Sequence, residues 1–426
     1  MYNNKKLCAT TDTKLRWEEI DFQKAEKRVK KLQRRIAEAY RNQRYDVMMY
    51  LQNTLIHSFS AKALAVKRIT SNKGKKTPGI DGVIWNTSES KIDAIYSLNR
   101  RGYKSNTLKR IYIPKPNGGL RPLSIPTMQD RAMQTLYKFA FEPIAEVNAD
   151  IHSYGFRPNR CVNDAIQYCK GILERDADVK WLLKIDIKSC FDKISHNWLM
   201  ENTLMDKKIL QMFLKSPYMI GTKLYPTIYG VPQGGTISSI LCNITLDGLE
   251  CLLVEKYETN IYMIRYADDI LLLGKEPQFL VQYVVPTIKK FLTERNLELA
   301  DEKTKLVHIC QGITFLGWTI YRENNEIISV PSSTKIDFLK QKIKEVLQSD
   351  KYDSDKERFI QIRKRVRGWL NFYAKLSKIS VLYDVADEIF YMVNSLGYDN
   401  IAEIIRQIYL KCLNDIKEKE RRVANE

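Results

Sequence analysis

The chain has 426 residues, 44% of them hydrophobic, with 69 Lys and Arg against 50 Asp and Glu, a formal charge of +19. That length supports two or three domains with proper cores. A positive excess of this size points to a polyanionic partner, nucleic acid first, with a basic surface kept for solubility as the bland alternative. No run approaches the roughly 20 apolar residues of a membrane span. The N-terminal "MYNNKKLCATTDTK" lacks the apolar stretch of a signal peptide. The 8 cysteines show no zinc spacing. The chain therefore reads as cytoplasmic, without a membrane partner, and its cysteines as buried thiols in a reducing compartment.

Residues 15 to 70 are expected to be helical. Phe22, Ala25, Val29, Leu32, Ile36 and Ala39 recur at amphipathic spacing. The opposite face carries Lys24, Lys27, Arg28, Lys31, Arg34 and Arg35. A stripe of one sign suits phosphate contact better than ordinary solvation. A second helix is expected over "VMMYLQNTLIHSFSAKALAVKRIT", then a basic loop over 71 to 82. In "KRIYIPKPNGGLRPLSIPT" two extended runs flank Asn117-Gly118, a hairpin signal. Helix follows from Met128 to about Val147. "IHSYGFRPNRCVNDAI" leads from a turn into another helix. "WLLKIDI" reads as a buried strand over 181 to 187, with helical material to about Leu214. "VPQGGTISSILCNITLDGLE" is a glycine turn opening a helix. From Pro331 the pattern is wholly helical, with stripes at Ile336, Leu339, Ile343 and Val346, at Phe359, Ile362, Val366, Trp369 and Tyr373, and at Ile401, Ile405, Ile408, Cys412 and Leu413. The charged stretch after Ile416 is expected to fray.

Most informative is "IYMIRYADDILLLG", residues 261 to 274. Successive side chains on a straight strand face opposite ways. Adjacent Asp268 and Asp269 can therefore share one partner only where the chain turns. Two strands with the aspartates at the tip satisfy this, although a solvated turn would too. Asp186 closes the apolar "WLLKID". Three carboxylates at strand ends repel unless they share a cation, and hard oxygens suit Mg²⁺. Two such ions about 3.5–4 Å apart can activate a 3′ hydroxyl and stabilise leaving pyrophosphate.

"TPGIDG", "YIPKPNGGLRPLSIPT", "HSYGFRPNR", "DIKSCFD", "GVPQGGTIS", "RYADDI", "EKTKLVHI", "FLGW" and "RGWLNFY" stand in this order. The chain thus resembles the group II intron-encoded reverse transcriptase (maturase) family. The resemblance implies an α+β right-hand polymerase, with fingers and palm on an antiparallel sheet and an all-α thumb. The domains would be a helical N-terminal extension over 1–75, fingers and palm over 76–330, and the thumb over 331–426. It implies an RNA-directed DNA polymerase using an RNA template, a DNA or RNA primer, deoxynucleoside triphosphates and two Mg²⁺ ions, with Mn²⁺ as a substitute. Structured intron RNA is a further partner. Asp186 and Asp268 would be the main catalytic metal ligands, with Asp269 in support.

The same resemblance makes Phe191 a steric gate against the ribose 2′ hydroxyl, or else a plain core aromatic. Lys115 and Arg121 would meet the triphosphate, Gln233 the sugar or base. Lys303 or Lys305 would carry the phosphate contact or proton donation. Gly317 and Trp318 match a primer grip, with packing an equal role for Trp318. Arg157 and Arg160 would lie near template or form structural pairs. Arg363, Arg365 and Arg367 would give the thumb a basic edge. No paired-cysteine nuclease segment is seen after the thumb, and Ser239 replaces the more usual proline, so a compact form without an endonuclease domain is expected. A non-catalytic RNA-binding splicing cofactor is the rival, alongside a domesticated enzyme of DNA repair or phage defence. An RNA-dependent RNA polymerase is disfavoured by Phe191.

Overall fold

The computed structural model describes residues 15–114, 118–258, 261–352 and 354–425, with side chains to residue 418. The chain folds as two compact units, one of Met1–Ala149, Ser189–Gly248 and Leu292–Glu298, the other of Asp150–Lys188, Leu249–Phe291 and Leu299–Glu426.

In the first unit the helices Phe22–Arg41, Tyr45–His57, Phe59–Ser71 and Met128–Asn148 pack on one another. The Asp21 side chain caps the first of these, accepting from Lys24 N–H at 2.8 Å. That helix buries Ala25, Val29, Ile36 and Ala39, and all six basic residues of the opposite face are exposed. The second expected helix is two. Ser58 is extended, and its hydroxyl accepts from Ala61 N–H at 3.2 Å, starting a new helix. Buried Arg131 donates to the carbonyls of Gly74 and Thr77 at 3.2 and 2.7 Å, which pins the basic loop. The hairpin strands Leu108–Pro114 and Leu120–Ile125 pair antiparallel and extend into a four-stranded sheet with Tyr218–Ile220 and Lys223–Tyr225.

The second unit holds a four-stranded sheet in the order Ile261–Tyr266, Asp269–Gly274, Trp181–Ile185, Lys305–His308, antiparallel throughout. Apart from Lys184 and Asp269, its two central strands are apolar on both faces because both faces are covered: Leu182, Leu183, Ile185 and Ile270 to Leu273 are all buried. Leu182, Ile264, Leu271 and Leu273 pack on the helix Val162–Arg175 and on a second sheet. That sheet, Ile313–Phe315, Trp318–Glu323 and Glu326–Pro331, contains a last strand that the sequence reading missed. It pairs through a turn at Asn324 and Asn325, both left-handed. Helices Ser333–Leu347, Asp355–Tyr373, Ile379–Ser395 and Asp399–Asn425 then close around their own core. The last helix extends to Asn425. Cys169, Cys190, Cys242 and Cys412 are buried thiols as expected, whereas Cys161, Cys251 and Cys310 are exposed, which corrects the expectation for those three. Among the described residues no helix is long and apolar enough to cross a membrane.

Candidate active site

Tyr266 pairs with Asp269, so Ala267 and Asp268 alone form the tip of the hairpin. Ala267 adopts a left-handed φ of 57°. For a residue with a Cβ that costs about 1–2 kcal/mol, so the surroundings must impose it. They do so through the "HSYGFRPNR" stretch. Tyr154 N–H donates to Arg265 O at 2.8 Å, and Arg265 N–H donates to His152 O at 2.9 Å. Fully buried Arg265 reaches Ala267 O through Nη1 at 3.4 Å, and its Nη2 lies 3.8 Å from Asp150 Oδ2. Gly155 lies against the tip so closely that a Cβ there would stand 2.4 Å from Ala267 N. Sequence reasoning assigned neither Gly155 nor Arg265 a role, although both lie inside the motifs it quoted.

The ladder pairs Ile185 with Ile270. One step further along this register brings Asp186 opposite Asp269. Burial first, then the charge of Asp268 and, more weakly, that of Asp186, push the Asp269 carboxyl up to about 6, while Lys184 pulls the other way. Asp186 is clasped from the opposite side. Its carbonyl accepts from Ala300 N–H at 2.8 Å, and Ile187 bridges Leu299. This clasp delivers the short turn Asp301–Lys303, whose Lys303 Nζ lies 2.8 Å from Asp186 Oδ2. The carboxylate raises the pKa of that ammonium. Lys305 instead lies in a ladder strand opposite Lys184 and is exposed. Of the two lysines left open by the sequence, Lys303 is the one at the aspartates.

Among the described residues no group of three His, Cys, Asp or Glu side chains stands close enough to hold a metal ion by itself. The donor set still suits a divalent cation. Its oxygens are hard, its negative charge is crowded enough to disturb Asp269, and an ammonium already stands in as counter-ion on Asp186. Mg²⁺ takes only one or two carboxylates and completes its shell with water and substrate phosphates, so an open set is appropriate.

The remaining expected residues divide. Phe191, Gln233 and Arg121 belong to the first unit, with Arg121 exposed on its strand and Gln233 Nε2 donating to Asp192 Oδ2 at 3.3 Å. Lys115 lies outside the described residues. Of the two roles left open for Arg157 the structure favours the structural one, though not at the surface: it is buried, and Nη1 donates to the carbonyls of Asp150 and Ser153 at 2.8 and 3.2 Å. Arg160 similarly ties the carbonyls of Ile151 and Ser153, each at 2.6 Å. Trp318 is fully buried against Tyr373, with ring centroids 4.8 Å apart, so it packs and offers no surface to a primer. Gly317 has φ 84° in a tight turn with Leu316, and its carbonyl accepts from Ser332 N–H at 3.0 Å. Arg363 and Arg367 are exposed on one helix, Arg363 lying 4.0 Å from Asp415.

Comparison with known proteins gives two family matches, "Reverse transcriptase (RNA-dependent DNA polymerase)" over residues 113–320 and "N-terminal domain of reverse transcriptase" over 17–98. Protein YkfC of Escherichia coli is 30% identical over 303 residues, covering 61% of this chain and 80% of that protein. The chain belongs to the group II intron-encoded reverse transcriptase (maturase) family. Within it, the group II intron-encoded protein LtrA of Lactococcus lactis is 29% identical over 327 residues, and the match covers 60% of this chain but 54% of LtrA. The putative COX1/OXI3 intron 2 protein of Saccharomyces cerevisiae is 26% identical over 324 residues, with 37% of its length covered. Membership supplies the right-hand polymerase class for the α+β architecture described above. The matched 113–320 span contains Asp186, Asp268 and Asp269.

Proposed function

We propose that the chain is an RNA-directed DNA polymerase that extends a primer 3′ end with deoxynucleotides on an RNA template. The observation that carries this reading is the register that brings Asp186 opposite Asp269, next to Asp268 at the hairpin tip, at the end of the central strands. A pure RNA binder gains nothing from crowded carboxylates beside a polyanion, which weighs against the splicing-cofactor alternative. Asp186 and Asp268 are the proposed ligands of two Mg²⁺ ions, with Asp269 in support. Bound there, the ions would supply activation of the primer hydroxyl and stabilisation of leaving pyrophosphate.

The chain's own residues do the rest. Lys303 neutralises Asp186 and stands at the aspartates as a cation for substrate phosphate. Arg121 is exposed on its strand and offers a bidentate fork to the triphosphate; by the family resemblance Lys115 shares that role. Phe191 excludes the 2′ hydroxyl, and Gln233 addresses the sugar or base. The exposed basic face of Phe22–Arg41 and the thumb residues Arg363 and Arg367 track RNA backbone. We assign residues 1–75 as an N-terminal extension, 76–330 as fingers and palm, and 331–426 as the thumb.

The test is primer extension by Asp268→Ala on an RNA template. Extension should vanish while duplex binding stays nearly intact. Retained extension would refute the metal assignment.

A further inference from the structure

Phe191 and Gln233 are separated by more than forty positions in the sequence, yet the backbone between them is laced together. Phe191 O accepts from Val231 N–H at 2.7 Å, and Ile194 O accepts from Gly230 N–H at 2.8 Å. Gly230 has φ 82°, and a Cβ on it would come within 2.6 Å of the carbonyl oxygens of both Phe191 and Asp192. The two segments therefore touch backbone to backbone. One further tie is a side chain. His196, buried at the start of the helix His196–Asn202, donates from Nε2 to Gly230 O at 2.7 Å. Burial lowers the pKa of this ring, so the imidazole is neutral and holds its proton on the nitrogen facing the carbonyl. Beyond Gly230, Gln233 O accepts from Ser124 N–H at 2.7 Å, and Ser238 Oγ donates to Pro232 O at 2.7 Å. The loop is thus anchored at its far end by neighbours unrelated to Phe191, and at its near end by Phe191, Ile194 and His196.

We infer that His196 is a positioning residue for sugar selection: by holding the Gly230 carbonyl it fixes the spacing between the Phe191 ring and the Gln233 loop, and so the room left for a 2′ hydroxyl. The inference rests on Phe191 being the gate, as proposed above. Without the imidazole, Gly230 O is a buried acceptor with one donor lost. The loop then relieves it by moving towards water, away from the 191–194 segment. That movement widens the gate without touching the aspartates.

Single-nucleotide insertion on an RNA template tests this, comparing kcat/KM for dATP and ATP in four forms of the full chain: wild type, Phe191→Ala, His196→Phe and His196→Gln. The glutamine amide can reach as far as Nε2 and still donate. His196→Phe should lose about tenfold in deoxynucleotide preference, the effect of one hydrogen bond, chiefly because the ATP value rises. His196→Gln should stay near wild type. If His196→Phe lowers both values alike and leaves the ratio unchanged while Phe191→Ala relaxes it, the inference falls and the gate stands. An unchanged ratio in Phe191→Ala overturns the gate reading and this inference with it. Should His196→Phe fail to fold, His196→Asn, too short to reach Gly230, gives the same ratio test.

Discussion

Asp269→Asn should make the metal-free protein more stable at neutral pH, although it removes a proposed site residue. The folded chain holds the Asp269 carboxyl at about 6, against an ordinary value of 3.8. At about 1.4 kcal/mol per pH unit, that gap comes to about 3 kcal/mol. The direction follows from linkage. Below the unfolded value both states are protonated and the group is neutral to stability. As pH rises towards the folded value, the unfolded chain ionises first and the fold loses stability. Above about 6 the full penalty is present. An amide of the same shape carries no charge, so the variant escapes the penalty. Thermal unfolding in EDTA should show a gain of several degrees at pH 7.5 that shrinks through pH 4 and vanishes at about pH 3. Adding Mg²⁺ should stabilise wild type more than the variant. A gain that is constant across pH, or a loss at pH 7.5, would refute the claim that crowding and burial destabilise this carboxylate.

Gly155→Ala pushes a methyl into the hairpin backbone, so primer extension should drop by as much as a hundredfold while RNA affinity changes little; displacements near 1 Å have such effects. Equal loss of both would show a general folding defect. Lys303→Ala removes the counter-ion on Asp186, so Mn²⁺ binding measured by calorimetry should tighten several-fold; weaker binding would mean that the lysine assists the ion. The side chain is exposed, so the accompanying stability change should stay under about 1 kcal/mol. RNA affinity should fall steeply with salt, and Lys27→Gln/Lys31→Gln/Arg34→Gln should flatten the log–log slope by roughly one for each charge removed. An unchanged slope would place the RNA elsewhere.

Much of this architecture is legible in the residues because it is local. The alternation of "WLLKI" and the two apolar runs around Asp268 and Asp269 predict the central strands; of the two aspartates expected at the tip, Asp268 is there and Asp269 instead opens the second strand opposite Tyr266. The helical stripes after Pro331 likewise report a single buried face each, although no stripe was picked out for the helix Ile379–Ser395. Some of what was missed was local and masked by its surroundings, and the rest depends on partners distant in sequence. Ser58 carried a capping signal that the apolar run around it masked. The strand Glu326–Pro331 needed its Asn324-Asn325 turn to be recognised. Whether Lys303 or Lys305 meets Asp186 depends on where a ladder begins, which spacing alone does not reveal. Arg157 stood open between a template contact and a structural pair; buried, it ties the carbonyls of Asp150 and Ser153 within its own loop.

The central claim is that Asp186 and Asp268 together hold divalent ions. Anomalous diffraction from crystals grown with Mn²⁺, a primer–template and a non-hydrolysable deoxynucleotide measures this directly. Two peaks about 3.5–4 Å apart are predicted, with carboxylate oxygens of both residues about 2.1 Å from metal. Strong peaks elsewhere on the protein, with none touching either carboxylate, would contradict it.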